Sequence, residues 1–164
     1  MSEPTSRRSR RGPATARTVD ALHEDLDALW DEAAFVPETD RMAFTLAVVE
    51  AAGNVVVHAV PAAEEPIELA VDLAAGAHRL EARIYEIGAA PAQVDLAGSM
   101  APEHLESGRG LALIQALVSR VVFERHGDTN VWKLRREYGR TEEQRPPQDV
   151  EEPRDPPATG ADVP

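Results

Sequence analysis

Between Pro37 and Pro61 the chain runs without proline, and its 44–59 stretch carries apolar residues at Leu46, Val49, Val56 and Ala59. That spacing predicts one long helix, which the rest of the chain has to pack against. Glu50, Asn54 and His58 fall at i, i+4 and i+8 of the same stretch. Residues four apart share a helix side at roughly 5–6 Å, so the three form a polar stripe. A carboxylate and an amide one turn apart suit a general base and a metal ligand. They equally suit an ordinary solvated face, and spacing alone leaves both readings open.

The segments around this helix read in order. Residues 1–17 are rich in Ser, Arg, Pro and Ala with no apolar period, the composition of an unstructured tail. Val19, Leu22, Leu26, Leu29 and Trp30 predict a first helix from about Thr18, its expected cap, with Glu24, Asp25, Asp27, Asp31 and Glu32 on a solvated face. Thr39 or Asp40 is the expected cap of the long helix. The alternating runs Ile67–Leu73 and Leu80–Glu86, linked through Gly76, predict an antiparallel hairpin. A loop-like stretch, 87–107, precedes an apolar helix expected to begin at Leu111. Loops of about twenty residues are commonly lids or binding loops. Two closing strands, Val121–Glu124 and Asn130–Arg135, follow around Gly127-Asp128, and 137–164 is acidic and proline-rich, another expected tail.

Composition narrows the chemistry. There is no cysteine, which removes disulfides, thiolate catalysis and zinc-thiolate sites. No apolar run approaches the roughly 18 residues of a membrane span, and the N-terminus has no hydrophobic signal core, so a soluble, cytoplasmic protein is expected. The net charge of −12 repels nucleic acid, leaving only the first 17 residues, five arginines against Glu3, with the sign to meet phosphate backbones. No nucleic-acid or membrane partner is expected.

Two glycine motifs stand out. Gly108-Arg109-Gly110 precedes the helix expected at Leu111. Unpaired N–H groups at a helix N-terminus attract phosphate, and glycine lets it approach the backbone. The pattern lacks the Lys-Ser/Thr ending of a Walker loop, and by itself it is also an ordinary turn. Glu86-Ile87-Gly88 ends a predicted strand, which puts a carboxylate beside flexible backbone, an arrangement able to accept from an amino group on a base and equally an ordinary strand-ending glycine beside a surface glutamate.

Taken in order, Ala47-Val-Val-Glu-Ala-Ala-Gly-Asn-Val-Val-Val-His58, Glu86-Ile-Gly88 and Glu106-Ser-Gly-Arg-Gly-Leu-Ala-Leu-Ile114 resemble the GHKL, or histidine-kinase-like, ATP-binding domain. The succession is most similar to bacterial anti-sigma factor serine/threonine kinases, over about residues 18–136. The resemblance implies an α+β fold: a two-layer α/β sandwich whose mixed, mostly antiparallel sheet has helices on one face. It implies ATP and Mg²⁺ as cofactors, with Asn54 holding the metal and Glu50 as catalytic base. Glu86 and Gly88 would meet adenine, with Thr129 nearby, and Gly108 and Gly110 would border the phosphates. The implied partners are a sigma factor and a STAS-type anti-anti-sigma protein phosphorylated on serine, with a homodimer also in keeping. His58 reads as packed or solvent-facing; Arg109 either reaches a phosphate or points to water, and water is expected. The chain departs from the family pattern in having Glu86 for the usual aspartate, Ala90 for an expected glycine, and Gly53 inside the helix. The family's strand before the first helix is not visible in residues 1–17. A regulator that kept the fold, sequesters a partner and uses no nucleotide efficiently is the alternative.

Overall fold

Alternation along four strands and small residues along one helix settle the architecture. The structure, a computed structural model, describes residues 5–92, 94, 96 and 105–139, with backbone alone for 105–109. In chain order the elements are β1 (Ser6–Pro13), α1 (Ala16–Glu32), α2 (Glu38–His58), β2 (Glu68–Ala75), β3 (Arg79–Ile87), α3 (Leu105–Leu117), β4 (Arg120–His126) and β5 (Thr129–Glu137). The strands form one sheet of order β1-β2-β3-β5-β4, every neighbouring pair antiparallel. Leu69, Val71, Leu73 and Ala75 of β2 and Leu80, Ala82 and Ile84 of β3 are buried, while the residues between them are open or half-open. That period of two gives the sheet one apolar face. The three helices lie on it, making the expected two-layer α+β sandwich.

The first seventeen residues correct the expectation of an unstructured tail. Ser6–Pro13 is an edge strand paired with β2 in register Arg10↔Val71. Its arginines, which hide the strand from an apolar pattern, meet acids on both sides. On the helix side Arg8 meets Glu32, and Arg10 meets Asp25 at 2.5 and 2.9 Å. On the open side Arg11 meets Glu68, and Ser9 donates to Asp72 at 2.8 Å. Asp25 is therefore half-buried rather than solvated, and Glu32, though exposed, is ion-paired, so both help dock α1 onto the strand. The family's missing strand is this one. Gly12 is needed for close approach, because a Cβ there would stand 3.0 Å from the Thr18 hydroxyl. Thr18 does not cap α1: Thr15 takes the N-cap position, and the Thr18 hydroxyl donates to the Pro13 carbonyl at 2.6 Å.

The long helix is correctly placed but starts earlier, with Pro37 rather than Thr39 or Asp40 at its N-cap. Its buried side is Phe44, Ala47, Val48, Ala51, Ala52 and Val55, not the 46/49/56/59 stripe. The helix is apolar almost all round, so periodicity does not choose a face; the small side chains do, since they let the helix sit close on the sheet. Asp40 in its first turn accepts from Arg136 Nε at 2.9 Å, and Arg136 Nη1 donates to the Leu117 carbonyl at 2.6 Å. One β5 guanidinium thus fixes the start of α2 and the end of α3. At the other boundary the domain continues past residue 136. Tyr138 is buried, its N–H donates to the His78 carbonyl at 3.1 Å, and its hydroxyl donates to the Gly76 carbonyl. The expected tail from 140 onward lies outside the described residues.

Candidate functional site

Glu50 and Asn54, one turn apart on α2, are both half-buried and converge on one backbone position of α3. A Cβ added to Gly110 would stand 2.9 Å from Glu50 Oε1, 2.9 Å from Asn54 Nδ2 and 3.1 Å from Asn54 Oδ1. Only glycine leaves those polar ends where they are. Gly108 and Gly110 were expected to precede their helix, and here they are corrected: α3 begins at Leu105 and runs through both. Glycine costs about 1 kcal/mol inside a helix, which is why sequence alone starts the helix at Leu111. The N–H of Gly110, six residues into α3, lies beyond the four free donors of a helix start. In this conformation Gly110 therefore makes room for the Glu50–Asn54 pair instead of presenting a free amide. The Arg109 side chain and residues 97–104 lie outside what is described.

This geometry predicts an uneven response to Gly110→Ala. The added methyl favours the helix by about 1 kcal/mol, and the groups it meets are the movable ends of side chains, so thermal stability should hold. The polar pair must shift, and affinity for Mg-ATP should fall by about tenfold, the penalty of an angstrom-scale misplacement or less. Melting curves and ATP titration on the same preparation check both halves; unchanged affinity would detach Gly110 from the site.

The end of β3 builds a second cluster. Glu86 is 6% exposed, and both carboxylate oxygens accept side-chain donors: Asn130 Nδ2 at 2.9 Å and Trp132 Nε1 at 2.8 Å. Asn130, fully buried, also donates to the Ala90 carbonyl at 2.9 Å, and its Oδ1 accepts from Arg125 Nη1 at 2.9 Å. Arg125 Nη1 reaches the Ala89 carbonyl at 2.6 Å as well. A carboxylate withdrawn from water needs such donors, and its second lone pairs remain able to accept. Gly88 adopts φ 79°, a left-handed backbone in which an added Cβ would meet no atom within 4 Å. Its N–H donates to the Asp128 carbonyl at 3.0 Å, and its carbonyl accepts from Ala62 at 2.9 Å. Ala90 donates to the Val60 carbonyl at 2.7 Å, so the chain leaving α2 is stitched to the chain leaving β3.

Thr129 stands apart. It pairs with Ile87, one residue beyond the Glu86↔Asn130 pair, so its side chain lies on the opposite sheet face from Glu86. Its hydroxyl donates to Asp128 Oδ1 at 2.9 Å. The residue that meets Glu86 is Asn130, which sequence reasoning passed over together with Trp132 and Arg125. The available signal was register: an antiparallel strand beginning at Asn130 beside one ending at Glu86 places the two opposite each other. His58 ends α2, exposed.

Among the described residues no three His, Asp or Glu side chains gather as a metal cage. Mg²⁺ characteristically binds through one or two protein oxygens plus substrate phosphates, and Asn54 beside Glu50 fits that manner of holding it. Glu86, an acceptor beside the open backbone at Gly88, fits the amino group of a purine.

Comparison with known proteins agrees with this fold. No curated protein matches in sequence. Among solved structures the chain is similar to the RsbU and RsbW domains of Rv1364c from Mycobacterium tuberculosis, with TM-score 0.56 and 17% identity, over 81% of this chain and 32% of that one. This chain thus spans about a third of that relative, and the likeness speaks to fold alone. The family model for the histidine kinase-like ATPase domain matches residues 12–136, a span that begins at the end of β1 and takes in the α2 polar pair and the β3 end, and the chain belongs to the histidine kinase-like ATPase domain family.

Proposed function

We propose that this protein binds ATP with Mg²⁺ and transfers phosphate to a serine or threonine of a protein partner, acting as an anti-sigma regulator. The observation that carries the reading is the convergence of Glu50 and Asn54 on Gly110. Bound Mg-ATP would supply the phosphoryl group and neutralise its charge. The chain's own residues would do the rest: the Asn54 side-chain amide oxygen would help hold the metal, Glu86 would accept from the base, and the Glu50 carboxylate would take the proton of the attacking hydroxyl. Phosphoryl transfer asks for this kind of positioning more than for covalent chemistry. The partners in this reading are a sigma factor, held inactive, and a STAS-type protein phosphorylated on serine so that it cannot compete.

A second reading, a regulator that sequesters its partner without using nucleotide, is favoured by one observation. Both Glu86 oxygens already accept from Asn130 and Trp132, so a base must be met by the remaining lone pairs. Titrating ATP and Mg²⁺ into the full chain separates the two. Saturation at or below about 1 mM, within the usual range for enzyme substrates, followed by ATP-dependent labelling of a STAS-type protein, is expected. Absence of saturation there would remove the kinase reading.

A further inference from the structure

The helical layer has an apolar outer side. Met42, Leu46 and Val49 succeed one another at i, i+4 and i+7 of α2; Met42 is 66% and Leu46 47% exposed, and Val49 is half-buried against the edge of the core. With Trp30 and Asp27 of α1 and Leu117 of α3 they line an open groove of about 700 Å³. Leu113, one turn before Leu117 on α3, is 38% exposed. The α2 stretch along the groove, Glu38 to Val49, is about 16 Å long at 1.5 Å per residue, three helical turns.

Charge distinguishes what the groove fits. Asp25 and Glu32 of α1 are matched by Arg10 and Arg8 of β1. Asp20, Glu24, Asp27 and Asp31, at i, i+4, i+7 and i+11 of the same helix, are all exposed and enter no ion pair among the described residues. Asp27 is part of the groove wall, and among the described lining residues the one guanidinium, Arg41, lies a turn from Glu38, so the balance is negative.

We propose that this groove docks a helix of a partner protein, one whose apolar face spans three turns and is flanked by lysine or arginine on the side that meets α1. Helix ridges at i, i+4 and i+7 accept a facing helix, and helix-in-groove recognition uses anchors at that spacing. A second copy of this chain is a poor occupant, because a two-fold contact would bring acidic wall to acidic wall. The chain's own C-terminal segment is poorer still, with seven acids against two arginines over 141–164. The unpaired wall would speed encounter with a basic helix and make binding salt-sensitive. Glu50 and Asn54 are not among its described lining residues.

The test uses the full chain and a fluorescein-labelled 18-residue helical peptide with leucines at i, i+3, i+4 and i+7 and lysines along one flank. Anisotropy should show saturable binding that weakens as salt rises. It should weaken at least about tenfold, the scale of losing one buried anchor or a charged pair, in Leu46→Glu, in Glu24→Lys/Asp27→Lys, and for the same peptide carrying glutamates on its flank. The charge variant alters exposed residues only, so it remains informative if Leu46→Glu fails to fold. ATP titration of the charge variant should match the unaltered protein, so the docking surface and the nucleotide site succeed or fail separately. Lack of saturable binding by the lysine peptide, or equal binding of the lysine and glutamate peptides, overturns the proposal. So does a concentration-dependent dimer, seen by sedimentation, that Leu46→Glu abolishes, since the groove would then belong to a second copy.

Discussion

Glu50→Gln protein is expected to bind Mg-ATP as the unaltered chain does and to transfer phosphate slower by roughly 10²–10⁴-fold, the usual share of a positioned base. Glutamine keeps the shape that packs beside Gly110 and removes only the ability to take a proton. The contrast with Asn54→Ala makes the result specific. Losing the amide should weaken binding itself, and the deficit should ease as Mg²⁺ is raised, because the substitution removes a ligand rather than a base. Single-turnover phosphate transfer and equilibrium ATP binding, measured on both variants, separate the two roles. If Glu50→Gln transfers phosphate at the original rate, the base is another group. If it loses binding instead, Glu50 serves to hold the nucleotide.

Asn130→Ala carries the second large effect, and here the readout is stability. The substitution takes one donor from the buried Glu86 carboxylate, one from the Ala90 carbonyl, and an acceptor from Arg125. Leaving such groups partly unpaired costs about 1–3 kcal/mol, more when one is charged. A loss of roughly 2–4 kcal/mol in urea denaturation is expected, against about 0.5 kcal/mol or less for an ordinary surface change. Asn130→Asp sharpens the test. It sets a second carboxylate against Glu86, so the loss at neutral pH should be at least as large as that of Asn130→Ala. A tolerated Asn130→Ala would mean that the network does not hold the end of β3.

The fold was legible wherever pattern and burial coincide. The β2–β3 hairpin, the two closing strands and the long helix announce themselves because alternation and proline spacing act locally. What stayed hidden depends on partners distant in the chain. β1 looked like a tail because its helix-side residues include Arg8 and Arg10, whose counter-charges lie on α1. The start of α3 was obscured by two glycines, of which Gly110 packs against the polar pair of α2. Thr129 and Asn130 differ by one position, and one position in a strand exchanges sheet faces. The polar pair on α2 was readable as a pair, yet its meeting point, Gly110, lies 56 residues beyond Asn54 and emerges only from the packing of two helices.

An open sheet of order β1-β2-β3-β5-β4 ends, among the described residues, in two unpaired rims, each able to recruit a strand from another molecule. At the β1 rim, Arg7, Arg8, Arg10 and Arg11 crowd eight residues that close on Pro13, which has no N–H to offer. Two such rims brought together would set arginine against arginine along their length. The residues that disguise this strand as a tail are thus what guards it against self-templated assembly.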